Sequence, residues 1–238
     1  MSNYKKIPRN KEVCINNVII EEVSDKFVDL LEYPQIFSFE SYYLNKKISG
    51  ATEHFYVREQ VFDRLIEASK YLPRGYKIHI FDAWRPLLVQ MELFERQYKK
   101  IEKENPSFHE GALINETLKY VSSASTTKEK PYTHSTGGSV DLTIVDDCGH
   151  KLDMGTDFDF FSPFSATNHF EGIFKNKIVR ENRRFLYDLM TSVGFTNLPT
   201  EWWHYDFGNL NWAYYKKKPA IYTGVFYEKD IEIIKKKI

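Results

Sequence analysis

The sequence predicts an α+β fold, a small and mostly antiparallel sheet with flanking helices in a single domain. Three observations point there. Stretches of helical and of strand periodicity both occur, and they do not alternate as regular βαβ units. Of the 238 residues 42% are apolar, among them 18 Phe, 16 Tyr and 4 Trp, which suffices for one large core and excludes a disordered chain.

Residues 1–45 read as an irregular arm packed on the domain, with short apolar runs at Val18–Ile20 and Phe27–Leu31. Val57, Val61, Leu65, Ala68 and Leu72 fall at helical spacing, so a helix is expected over about 57–72, stopped by Pro73-Arg74-Gly75. Tyr76–Asp82 has the β-branched content and partial alternation of a strand. Pro86 suits the first turn of a helix reaching Glu104, with Leu87, Leu88, Met91 and Phe94 as its apolar face. A further helix is expected over 110–121, followed by a polar loop over 122–132. Val140–Val145 reads as a strand and Asp146–Gly149 as a turn. Lys177–Val193 reads as the last long helix, with Gly194 at its C′ position. Trp202–Phe207 reads as a third strand, and the tail from Glu228 as a short helix ending in the solvated run Lys235–Lys237.

Lys plus Arg and Asp plus Glu each number 33, so the formal charge is zero. No electrostatic attraction to nucleic acid or to an anionic membrane is expected. Two cysteines, Cys14 and Cys148, build no disulfide framework, and without a thiol-rich cluster no thiolate zinc site is expected. The opening residues lack the apolar core of a signal peptide, and no stretch approaches the ~18 apolar residues of a membrane span. The expectation is a soluble, cytoplasmic protein with reduced thiols. GxGxxG, GxxxxGK[ST] and GxSxG are all absent, so phosphate-cradling loops and a nucleophile elbow are not expected.

Three segments carry chemistry. In Thr133–Asp141 an imidazole, His134, and a carboxylate, Asp141, stand seven residues apart around Gly137-Gly138. A flat strand would put them on opposite faces, but the glycines permit a turn that lets them converge. Glu201-Trp202-Trp203-His204 adds a second imidazole, with a carboxylate three residues before it. Two imidazoles and a carboxylate suit Zn²⁺, and a separate carboxylate suits a base beside its open position. In a regular strand residues three apart face opposite ways, so Glu201 and His204 require a bulge or turn at the strand entry. Asp82-Ala83-Trp84-Arg85-Pro86 lies between a strand end and a helix start, where Arg85 can project from the sheet toward developing negative charge.

Together these segments resemble the M15 peptidases, most closely their D-alanyl-D-alanine dipeptidase branch. The matching stretches are His134 to Asp141, Glu201 to His204, Asp82 to Pro86, and Met154-Gly155-Thr156-Asp157-Phe158-Asp159, in the same order over about 52–205. The resemblance implies a Hedgehog/D,D-peptidase-like fold. It implies one Zn²⁺ per chain on His134, Asp141 and His204, with Glu201 as general base and acid. Arg85 then stabilises the transition state, and Asp159 holds the substrate's ammonium. The catalytic unit would span 46–212, with 213–238 as a C-terminal extension. The expected reaction is hydrolysis of a short D-amino-acid peptide, foremost the D-alanyl-D-alanine dipeptide, with a small peptide as the partner and neither nucleic acid nor membrane. Two alternatives stand beside it: a D,D- or L,D-carboxypeptidase on cell-wall peptides, and a non-catalytic, zinc-stabilised binding module. Two departures from the family pattern are Thr136, where a basic residue is frequent, and Ser139, where Ala is frequent.

Simpler readings apply elsewhere. His54, His79, His109, His150 and His169 read as surface or satisfied polar residues, although His169 could line the cleft. Trp202 and Trp203 read as core and wall.

Overall fold

The computed structural model describes residues 4–9, 13, 15, 18–172 and 176–231. In chain order its strands and α-helices are β1 (Phe27–Asp29), β2 (Phe37–Phe39), α1 (Tyr42–Asn45), β3 (Tyr56–Arg58), α2 (Glu59–Ser69), β4 (Lys77–Asp82), α3 (Leu87–Glu104), α4 (Glu110–Thr117), β5 (Ser139–Val145), α5 (Lys177–Ser192), β6 (Thr196–Asn197), β7 (His204–Asp206) and α6 (Leu210–Lys216). Five strands form one sheet in the order β2-β4-β5-β7-β6, and β1 and β3 form a separate antiparallel pair. Within the larger sheet β2 runs parallel to β4 and the other neighbours are antiparallel. This is the mixed α+β architecture with a mostly antiparallel sheet that the sequence predicts.

The central strand β5 is buried along its whole length. Its sequence alternates: Val140, Leu142 and Ile144 turn into the core, with Val61, Leu65 and Ala68 of α2 and Leu186, Leu189 and Met190 of α5 in the same cluster. Ser139, Asp141 and Thr143 therefore share the opposite face. The register then aligns three functional positions, because Asp82 of β4 pairs with Asp141 of β5, and Asp141 pairs with His204 of β7. A bulge between Ile80 and Asp82 brings Asp82 into that row.

Several expectations change. Val57 lies in β3, where it pairs with Val28, and the helix begins only at Glu59. Pro86 is extended (φ −60°, ψ 151°) and caps α3 from outside its first turn. The buried face of α3 is Leu87, Val89, Gln90 and Ile101, whereas Leu88 and Met91 are exposed. A polar residue sits on that face because Gln90 bridges two loops, accepting from Arg85 Nη1 at 2.9 Å and donating to the Ser122 carbonyl at 2.7 Å. The helix expected over 110–121 ends at Thr117, and α6 follows β7 where none was expected. Residues 228–231 are helical; Lys235–Lys237 and Cys14 lie outside the described residues. Among the described residues no helix is long and apolar enough to cross a membrane.

Early and late parts of the chain meet at Arg58. Its Nε donates to the Thr136 carbonyl at 2.9 Å and its Nη1 to the Asp25 carbonyl at 2.8 Å. The guanidinium lies over the rings of Phe27 and Tyr222, 4.4 and 5.1 Å from their centroids. Tyr222 in turn donates to Asp25 Oδ2 at 2.6 Å. Arg58→Ala would strip two buried carbonyls of their donor and remove both ring contacts. A loss of roughly 3 kcal/mol is expected, read as a lowered denaturant midpoint at constant m-value.

Candidate metal centre and active site

The turn that carries His134 is a 3-10 helix, Thr133–Thr136, which Gly137 ends in the left-handed region at φ +69°. Gly138 must be glycine for a second reason: a Cβ there would lie 2.4 Å from the Phe207 carbonyl oxygen. This compact turn delivers His134 over the start of β5. Glu201 lies in the turn that precedes β7, as its spacing from His204 required. Its backbone N–H donates to the Leu198 carbonyl at 3.0 Å, and its carbonyl accepts from Asn197 Nδ2 at 3.0 Å and Thr167 Oγ1 at 3.2 Å.

His134, Asp141 and His204 are buried and converge. His134 Nε2 lies 3.1 Å from His204 Nδ1 and 3.4 Å from Asp141 Oδ1, and His204 Nδ1 lies 3.0 Å from Asp141 Oδ1. Each imidazole is held from behind. His134 Nδ1 donates to the Ala83 carbonyl at 2.6 Å, and His204 Nε2 donates to Asp206 Oδ1 at 2.9 Å. Those partners hold the rear nitrogens protonated, so the two front nitrogens and a carboxylate oxygen converge as the groups that would turn lone pairs to a cation once the shared proton leaves. Tetrahedral zinc ligands at about 2.0–2.1 Å from the ion stand roughly 3.3–3.4 Å apart, close to the spacing of this triangle. The three residues fit a tetrahedral cation with one position left over.

The electrostatics agree. Burial raises the Asp141 carboxyl, but His134 and His204 outweigh it and hold the group well below the usual range. Burial lowers His204, but Asp206 and Asp141 outweigh it and raise the ring well above an ordinary imidazole. A cation in the triangle competes with that proton, so its binding releases it. Asp206 is fixed by Ser139 Oγ at 2.7 Å, Asn209 Nδ2 at 2.6 Å and Asn211 Nδ2 at 3.1 Å.

A cavity of about 330 Å³ opens on this triangle and is also lined by Arg85, Asp159 and Glu201. Glu201 stands outside the triangle, with Oε2 3.9 Å from His204 Nδ1. Burial pushes its carboxyl up to about 7, against a downward pull from His204. Asp159 has φ +61°, rare for a residue with a side chain, and burial pushes its carboxyl up to about 8 against the pull of Arg85. No hydrogen bond or ion pair reaches its carboxylate among the described residues. The loop that carries it is pinned by buried Arg183 of α5, which donates to the carbonyls of Met154, Phe164 and Ala166 at 2.8, 2.9 and 2.7 Å. Arg85 is buried and donates through Nε to Asp82 Oδ2 at 2.8 Å, through Nη1 to Gln90, and through Nη2 to Tyr43 Oη at 3.1 Å and Asp141 Oδ2 at 3.4 Å. The ion pair with Asp82 and the place on the cavity wall coexist.

Residues 44–221 match the family model for M15 peptidases described as D-ala-D-ala dipeptidase. The chain belongs to the M15 peptidase family. Curated relatives named D-alanyl-D-alanine dipeptidase include one from Synechocystis sp., 26% identical over 66% of this chain and 70% of its own length. One from Enterococcus faecalis is 33% identical over 55% of this chain and 62% of its own length. One from Escherichia coli is 37% identical over 56% of this chain and 55% of its own length. Against the latter two, the alignment thus spans less than two thirds of the relative. A solved vancomycin-resistance D,D-pentapeptidase in complex with Zn(II) is 14% identical with a TM-score of 0.41, covering 72% of this chain and 84% of that one.

All six residues that the sequence singles out in this M15 chain line one cavity. Asp206, Gln90 and Tyr43 were not singled out. For Asp206 a signal existed, since it stands two residues after His204 and so shares its face of the strand. His169 does not line the cavity: it lies between the rings of Phe164 and Phe170, at 4.7 and 4.9 Å. Trp203 does line it, edge-on to Phe158 at 5.5 Å.

Proposed function

We propose that this chain is a zinc peptidase that hydrolyses a short D-amino-acid peptide, foremost the free D-alanyl-D-alanine dipeptide. The observation that carries the reading is a carboxylate, Glu201, placed beside the His134–Asp141–His204 triangle and not in it. A site that used its ion only for stability has no need of a base next to an open position, which weighs against a binding module. The family membership and the names of the curated relatives support the same reaction class.

His134, Asp141 and His204 would hold one zinc ion, which supplies Lewis-acid polarisation of the scissile carbonyl and acidifies water. Glu201 takes a proton from the attacking water at a carboxylate oxygen. It delivers that proton to the leaving amine as the C–N bond breaks, so water is consumed as hydroxyl on the acyl carbon and hydrogen on the nitrogen. Arg85, locked by Asp82, Gln90 and Tyr43, presents fixed positive charge to the oxyanion without reorganising. Asp159 pairs with the ammonium of the substrate's first residue, in a place where water is partly excluded.

That pairing tests the reading. A free dipeptide supplies a cation that holds Asp159 ionised and paired, whereas an N-acetylated one leaves the buried carboxyl without an ionic partner. Wild type is expected to favour the free dipeptide by about 10²-fold or more in kcat/KM, and Asp159→Asn to lose most of that preference. Equal rates on both substrates in wild type would promote the carboxypeptidase alternative. No release of D-alanine from either substrate by zinc-loaded protein would leave the binding module.

A further inference from the structure

The turn that follows β5 carries a second set of donors, on the other side of the strand's end from the catalytic triangle. We infer that Asp146, Cys148 and His150 form a surface site for a divalent transition ion of the zinc class.

The backbone builds this site before any ion arrives. Asp146 N–H donates to the His150 carbonyl at 2.9 Å, and Gly149 N–H donates to the Asp146 carbonyl at 3.0 Å. Gly149 takes the left-handed conformation at φ +84°. A bridge between Val145 and Lys151 closes the hairpin beneath. Asp146 Oδ1 accepts from Cys148 N–H at 3.0 Å and from His150 N–H at 2.8 Å, which fixes the carboxylate and leaves Oδ2 over. Oδ2 lies 3.6 Å from His150 Nδ1. The donors alternate at i, i+2 and i+4, and one ligand atom from each lies within 4.8 Å of the others.

The donor set selects the ion. A thiolate, an imidazole and a carboxylate are the sulfur, nitrogen and oxygen ligands of zinc, and sulfur with nitrogen disfavours calcium and magnesium. Cys148 is a free, exposed thiol, and the His150 side chain is 80% exposed, so further positions on the ion stay open to water. Because the turn is already closed, binding orders little beyond two side-chain rotamers. The site is distinct from the triangle: Asp141 and Asp146 stand five residues apart along an extended strand, roughly 16 Å. Counting cysteines does not reveal it, because one thiol suffices when an imidazole and a carboxylate share its turn.

Sulfur makes the site separately visible. Zinc-loaded Cys14→Ser protein, in which Cys148 is the sole thiol, is titrated with cobalt(II). One further equivalent is expected, with a thiolate-to-cobalt charge-transfer band in the near ultraviolet that the nitrogen and oxygen ligands of the triangle cannot produce. Adding Cys148→Ser should abolish the band and that equivalent while leaving dipeptide hydrolysis unchanged, and His150→Ala should weaken cobalt binding at least ~10-fold. In the wild-type chain, zinc in excess of the first equivalent should slow alkylation of Cys148, located by peptide mapping. No further equivalent, an equivalent without the band, or a Cys148 alkylated equally fast with and without the added zinc would overturn the assignment.

Discussion

Glu201→Gln is expected to keep its zinc and lose turnover by about 10²–10⁴-fold, the usual worth of a general acid–base group. Glutamine preserves the shape of the side chain and its place in the turn before β7, so the change isolates the proton. The pH profile gives an independent reading. Burial pushes the Glu201 carboxyl up to about 7. A base must be ionised to act, so kcat/KM rises with pH through the acidic limb that this group sets. Zinc in the triangle adds positive charge next to the carboxyl and draws the limb below that value. The limb should be missing from the residual activity of the glutamine variant. A variant with unchanged kcat would remove Glu201 from the mechanism, and one that lost zinc would make it a ligand.

His134→Ala and His204→Ala are expected to abolish both zinc retention and activity, since each removes one of three convergent donors and leaves a gap beside a buried carboxylate. The partner behind the ring adds a graded test. Asp206→Asn keeps hydrogen-bonding capacity toward Ser139 and Asn211 but weakens the hold on His204, and a 10–100-fold loss of zinc affinity is expected. Metal competition with a chelator of known affinity measures all three. Full zinc retention in both alanine variants would sink the triangle as a metal centre.

How much of this was legible in the sequence depends on range. The alternation of Ser139 to Val145 and the helical spacing of Val61, Leu65 and Ala68 are local patterns, and the corresponding elements stand, with α2 shorter at both ends than its spacing predicts. The motifs around His134 and Glu201 are also short, so their donors are legible in the sequence. The strands β1, β2 and β3 have three residues each, and their partners lie 27 to 41 positions away. Such segments are strands only because of what they pair with, and no periodicity develops within three residues. Gln90 was hidden for a related reason. Its helix face reads as apolar from spacing alone, and the demand for an amide there comes from Arg85 and Ser122, which belong to other segments.

The Arg58 clamp bears on the order in which the molecule assembles. The hydrogen bond from Tyr222 to Asp25 joins residues 197 positions apart, and the one from Arg58 to Thr136 joins residues 78 apart. Closing a flexible loop of the first length costs about 5 kcal/mol in chain entropy, and such contacts repay that cost only after closure. The sheet pairs β4–β5 and β5–β7 span shorter separations and meet a smaller entropic cost. On a ribosome, the Thr136 carbonyl of the turn that bears His134 gains its full clamp only once Tyr222 has emerged. The turn that carries His134 thus reaches its final packing only after nearly all of the described chain has been made.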